Sequence, residues 1–537
     1  ITEAVDLHTR AGLPASALAT WTPPAAGDYR ILVVAGAARI CHPLRVEGRR
    51  RRATTRLGPT AVWPNERAWT PGEEALYSAW VRDLFAASDD PGTSFERLDR
   101  LTTDPARNVL YGALGLGEDR RDGVRLRPDS VELPYALRAY WAWKRRLPFA
   151  FRKCIDPRSG QPQQCDDPRS NLAAARRFPR GADELARARR FFQRILPASV
   201  SAGNVRAAVD DARSDLYPVQ IDRRALRPGT LYVDPRGHVL VVAELVPPQG
   251  GDPGALHVVD ARFDGSIARR RFWEGTVVWH PDPQLGGTGF KRFRPVEGAA
   301  DSVYPWNDEA IQESPDHADL WTGQADLDAR GFHDKVAGWI DPPPWDPGHV
   351  LRQNAAALLE LVEERVIAVD RAAARAARIR RPIDMPRGLA LFDAPGAWEE
   401  FATPGADLRL LGALDVVRAL PDRVRDQPDL FEFTGDPAAV ADALAAGLDA
   451  ALREVRFTYL RSDGSEWQLT LADLAARSAE LERAYNPNDC PERRWGAPDD
   501  SDEAATCAYR APAEQQERME QNRDWFRVRR SAARRPR

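Results

Sequence analysis

The segment Arg227-Pro-Gly-Thr-Leu-Tyr-Val-Asp-Pro-Arg-Gly-His-Val-Leu-Val-Val-Ala-Glu-Leu245 constrains the fold more than any other, because turns and apolar runs alternate along it without a break. Pro228-Gly229 reads as a turn, Leu231 to Val233 as a short strand, Asp234 to Gly237 as a second turn, and Val239 to Leu245 as a buried strand of β-branched and aliphatic residues. His238, one of only 8 histidines, stands where that strand begins. An imidazole on a rigid strand edge suits proton transfer, since its ordinary pKa lies near neutrality. A half-buried histidine that only caps the strand is the plain alternative.

A chain of 537 residues has room for two to four domains and more than one core. Its 76 basic and 79 acidic residues leave a net charge of -3, so no global field favours nucleic acid or an anionic membrane. The basic runs Arg49 to Arg52 and Arg527 to Arg537 read as solvated surface. No apolar stretch reaches the roughly 18 residues that span a bilayer. No signal-like segment is present, and the start at Ile1 rather than Met suggests that something upstream was cleaved or trimmed.

Four of the 5 cysteines fall into two local pairs, Cys154 with Cys165 and Cys490 with Cys507, each around a loop-like stretch rich in polar residues and proline. Such pairs suit disulfide hairpins of an exported protein, each stabilising by about 3 kcal/mol. Four reduced cysteines of a cytosolic protein are the alternative. No cysteine or histidine spacing fits zinc, so no metal and no cofactor is expected. Cys41 adjoins His42, but neighbours on a strand point to opposite faces and cannot cooperate.

The expected organisation is a β-containing lead-in (1–65), an α+β core (66–298), a wrapping loop region (299–348), a mainly helical region (349–526) and a mobile basic tail (527–537). Within the core, 70 to 88 reads as an amphipathic helix with Leu76, Trp80 and Leu84 on one face, and Val131 to Arg146 as a second helix. A third helix is expected over Ala182 to Ile195, and strands from Gly229 to about Val278. Tyr304 to Gly348 shows no clear period and reads as ordered loop. Helices return at Val350 to Arg380, Pro437 to Val455 and Leu469 to Tyr485, the last after a hairpin around Asp463-Gly464.

A helix start, then a Pro-Gly turn, then Gly237-His238-Val239 and a polar residue on the next strand, Asp260, resembles the NlpC/P60-like and transglutaminase-like branches of the papain-like superfamily. Residues 110 to 295 are also similar to a group of exported bacterial proteins without assigned function. The resemblance implies a papain-like core with a nucleophile at a helix N-terminus, where the helix dipole lowers a thiol's pKa. It implies His238 as base and Asp260 as the group that orients it. The nucleophile's place, in Asp129-Ser-Val-Glu-Leu-Pro-Tyr135, is held by Ser130 where cysteine is expected.

That departure matters because the dipole that makes a thiolate cannot make an alkoxide. An engineered Cys→Ser substitution, a natural serine relying on His238, and a degenerate site that only binds all remain open. So does a purely structural account, in which Asp129 or Ser130 caps the helix and Glu132 closes a capping box. Asp264-Gly265 reads as a hairpin turn, and Asn486-Pro-Asn-Asp489 as a turn beside Cys490 rather than a cation site. Trp306, Trp321, Trp345 and Trp495 either line a groove or seal loops over the core. The expectation is an exported thiol-hydrolase-like or acyltransferase-like enzyme acting on an amide bond of a peptide or peptidoglycan-type substrate. The alternative is a non-catalytic binding or scaffold protein with the same fold.

Overall fold

The computed structural model describes the chain except residues 1–7, 11–15, 19–20, 22, 36, 47–56, 87–93, 156–163, 207–210, 212, 236–237, 250–252, 263–264, 278–286, 300, 380, 389, 394–395, 525 and 528–537. Helix and sheet are mixed. The elements that position the site are helix α1 (Pro71–Leu84), strand β1 (Ser94–Phe95), helix α2 (Glu132–Arg145) and strands β2 (Leu216–Pro218), β3 (Leu231–Val233), β4 (Val239–Val246), β5 (Ala255–Ala261), β6 (Ile267–Arg271) and β7 (Gly289–Phe293). Helices α3 (Ala329–Ile340), α4 (Pro347–Arg378), α5 (Pro404–Arg418) and α6 (Pro437–Glu454) follow. The strands form one sheet in the order β2-β7-β3-β4-β5-β6-β1, with every neighbouring pair antiparallel.

The Pro-Gly turn of the opening segment folds as expected, and Arg236 and Gly237 of the second expected turn lie outside the described residues. The Asp234 N–H donates to the His238 carbonyl at 2.9 Å, and Val233 pairs with Val239 across the resulting hairpin. Gly229 has φ of 90°, and a Cβ there would lie 2.6 Å from Tyr77 Cε1. Gly229→Ala is therefore expected to destabilise the chain by about 1–3 kcal/mol, seen as a lower denaturant midpoint at an unchanged m-value.

Alternation along β4 sorts its side chains into two cores. Val239, Val241 and Ala243 join Val259 and Ile267 against α1 and α2, whereas Leu240 and Val242 join Leu256 and Val258 on the other face. Pairing slips between Val242 and Glu244, a bulge at Ala243 that turns Leu245 into the second core. Each fully buried aliphatic side chain here contributes about 1.5–3 kcal/mol.

Thr70 caps α1 by accepting the Glu73 N–H at 3.2 Å, and the buried stripe is Tyr77, Trp80, Val81 and Leu84. Leu76, expected on that stripe, is 51% exposed, because the stripe follows the i, i+3, i+4, i+7 spacing from Tyr77 and Leu76 falls about 100° off it. Helix α2 is buried almost all round, and Lys144 is enclosed with Glu118 and Asp119 as its partners. The expected third helix is α-helical over Glu184–Arg190 and continues as a π turn over Phe191–Ile195.

The stretch expected as wrapping loop contains the helix Asp308–Glu313 and α3. Phe332, Val336 and Ile340, one turn apart along α3, fill the second core. Proline and tryptophan on either side mask this short period in the sequence. Helices α4, α5 and α6 build a third core with the hairpin Arg456–Leu460 and Glu466–Thr470. The helix expected from Leu469 starts after Thr470, which forms a capping box with Asp473, and is interrupted at Arg477.

The lead-in contains the hairpin of Gly27–Ala35 with Ala38–Val46, in which Cys41 and His42 are exposed neighbours across from Leu32 and Ile31. Both expected disulfides are formed, Cys154 to Cys165 and Cys490 to Cys507. No helix among the described residues is long and apolar enough to cross a membrane. The basic tail beyond Arg527 lies outside the described residues.

Candidate functional site

At the start of α2 the cap is Asp129. Its Oδ1 accepts the N–H groups of Val131 at 2.9 Å and Glu132 at 2.8 Å, and Glu132 Oε2 accepts the Asp129 N–H at 3.3 Å, which completes a capping box. Ser130 sits in the turn between them, half-buried, and neither its hydroxyl nor its N–H has a hydrogen-bond partner among the described residues. Burial and the Asp129 charge push the Glu132 carboxyl up to about 7, so near neutrality it is divided between its acid and its anion.

The sheet register brings His238 to Asp260. Val241 pairs with Val259 and Val242 with Val258, so continuing the ladder sets Leu240 opposite Asp260 and His238 diagonally across from it on the same face. His238 Nε2 lies 2.6 Å from Asp260 Oδ2. Arg270 of β6 also donates to that oxygen, and its other nitrogen lies 3.5 Å from Glu364 of α4. Burial alone would raise the Asp260 carboxyl, but Arg270 and the His238 hydrogen bond hold it well below the usual carboxylate range. An anionic Asp260 can only accept, so the imidazole's N–H is on Nε2 and the lone pair is on Nδ1. Nδ1 has no hydrogen-bond partner among the described residues, and the His238 side chain is 31% exposed.

The exposed part opens on a cleft of about 590 Å³ lined by Ser130, Glu132, His238, Arg270, Ile367 and Arg409, among others. The start of α2, the ends of β4 and β5, and helices α4 and α5 enclose it. Helix α2 packs on one face of the sheet, whereas Asp260 and Arg270 lie on the face toward α4. Ser130 and the His238–Asp260 pair thus reach one cavity from opposite faces, and no hydrogen bond joins the serine hydroxyl to the imidazole. The arrangement offers a hydroxyl, a bare imidazole nitrogen and a titrating carboxyl around one space.

Sequence reasoning missed Arg270, Glu364 and Arg409. A signal for Arg270 existed in the run Ile267-Ala-Arg-Arg-Arg271: alternation must bury one of these arginines, and a buried guanidinium needs a carboxylate. Glu364 and Arg409 stand on remote helices with no local mark. Cys490, Glu492 and Cys507 cluster like metal ligands, but the two sulfurs are joined as a disulfide. Asn486 and Asn488 bond to Gln515 and to the chain at Ile383, which builds a turn beside that disulfide. Trp495 is fully buried in the third core, and Trp306 and Trp321 pack against the second, so these three seal the fold rather than line the cleft. Trp345 is likewise buried in the third core. No family model, no curated protein and no solved structure matches the chain.

Proposed function

We propose that the chain is a papain-like hydrolase or acyltransferase that cleaves an amide bond of a peptide or peptidoglycan-type substrate, with Ser130 as nucleophile, His238 as base and Asp260 as its orienter. The observation that carries this reading is the His238–Asp260 contact of 2.6 Å, which leaves Nδ1 bare toward a cleft that Ser130 also lines. In the reaction, Ser130 Oγ adds to the amide carbon as its proton passes to Nδ1. The tetrahedral oxyanion then collapses, the C–N bond breaks, and the departing amine takes the proton from the imidazole. Water, or a second amine in an acyltransferase, attacks the resulting ester by the same route. Substrate binding must first draw the hydroxyl and the imidazole together, as catalytic hydrogen bonds often tighten only in the complex. The two disulfides support an exported location.

A fluorophosphonate probe tests the nucleophile. The unaltered chain is expected to be phosphonylated at Ser130, and His238→Ala to slow this by about 10²–10⁴-fold. Labelling of Ser130 no faster than in the urea-unfolded chain would sink the proposal. The second reading, a cleft that only binds, draws on one observation: the Val131 and Glu132 N–H groups, which a helix-start site would aim at an oxyanion, are both held by Asp129. On that reading a peptide occupies the cleft while Ser130 stays inert to the probe.

A further inference from the structure

Resting on the hydrolase reading above, we propose that Arg409 of α5 is the substrate-recognition group of the cleft and that the substrate is an acidic peptide whose free carboxylate it binds. Arg409 lines the same cleft as Ser130 and His238. Its side chain is half-buried and has no hydrogen bond or ion pair among the described residues, and its Nε is enclosed without a partner. Its neighbours differ. Arg270 is held by Asp260 and Glu364, Arg262 lies 3.3 Å from Glu364, and Arg371 lies 3.5 Å from Glu400.

The nearby carboxylates are already committed: Asp260 to His238 and Arg270, Glu364 to Arg262 and Arg270, and Asp234 to the His238 N–H at 2.9 Å. A half-buried guanidinium without an anion keeps its donors open to a ligand in the cleft, and a planar carboxylate matches its fork with two parallel hydrogen bonds. Burial and the adjacent Arg270 hold its pKa below the usual arginine value, while Glu364, Asp260 and Asp234 act in the opposite direction. Asp260 and Glu364 close by disfavour a doubly charged phosphate, which leaves a single carboxylate as the fitting group.

The test uses the full chain carrying Ser130→Cys and two alkylating reagents of nearly equal shape, iodoacetyl-glycine and iodoacetyl-glycinamide. Relative to free cysteine, the charged reagent is expected to be favoured by about tenfold. Arg409→Gln should remove that preference and Arg409→Lys retain part of it. His238→Ala should slow both reagents and leave the preference unchanged, so failure of the base and failure of Arg409 give different results. A preference absent in the Ser130→Cys chain, or unaltered by Arg409→Gln, overturns the proposal. Calorimetry with N-acetylglycine, which carries one carboxylate, repeats the test without touching Ser130: at least about tenfold weaker binding in Arg409→Gln is expected. Equal affinity in the two chains, or no binding to either, overturns it as well.

Discussion

Asp260→Asn is expected to slow fluorophosphonate labelling of Ser130 by about 10²–10⁴-fold, as much as removing the imidazole itself. The reason lies in the charge. Arg270 donates to the same Asp260 oxygen that His238 Nε2 contacts, so an asparagine places its amide oxygen there and keeps the Nε2–H tautomer. What is lost is the negative charge that stabilises the imidazolium formed when Nδ1 takes the Ser130 proton, and the Arg270 cation then opposes that charge. Labelling within tenfold of the unaltered chain in Asp260→Asn would refute the role assigned to the carboxylate.

The same residue sets an acid limit on stability. Its carboxyl in the folded chain is held below the usual value, so the stability it contributes is fully present above about pH 4, the ordinary aspartate range, and is lost as pH falls toward the folded pKa. Denaturant midpoints measured from pH 6 down to pH 3 should therefore fall more steeply for the unaltered chain than for Asp260→Asn. Parallel slopes would contradict the assignment.

What could be read from the sequence follows from how local each constraint is. The Pro-Gly turn, the buried run from Val239 and the N-terminal capping box at Asp129 are short-range patterns, and each has its expected element. The two disulfides were legible because each closes a short loop. The His238–Asp260 contact needed only the next strand's register. In contrast, Leu76 was misassigned because intervals of four residues drift around a helix, whereas the buried stripe follows the i, i+3, i+4, i+7 spacing of Tyr77, Trp80, Val81 and Leu84. Helices α4 and α5 line one side of the cleft, and Glu364 and Arg409 on them look like any solvent-facing charge until the helices are docked on the sheet.

That docking is expected to be the chain's most sensitive point. Arg365 of α4 and Asp407 of α5 form a buried pair, with Nε to Oδ1 at 2.8 Å and Nη2 to Oδ2 at 3.1 Å. Arg365 stacks 4.4 Å over Trp495, and its Nη1 already lacks a partner. Arg494 lies nearby, its pKa held down to about 10 by burial and by Arg365, with Asp407 as the compensating charge. Asp407→Ala would leave two buried guanidinium groups facing each other, and an expected loss of about 3–5 kcal/mol should appear as a lower denaturant midpoint. A loss under about 1 kcal/mol would show the pair to be dispensable. Because Glu364 adjoins Arg365 and Arg409 stands two residues from Asp407, this pair also fixes the spacing of the groups that both helices present to the cleft. The milder Asp407→Asn, which keeps an acceptor for Arg365, should therefore stay folded and still weaken the preference for the charged alkylating reagent in the Ser130→Cys chain. An unchanged preference would mean that Arg409 is positioned by its own helix alone.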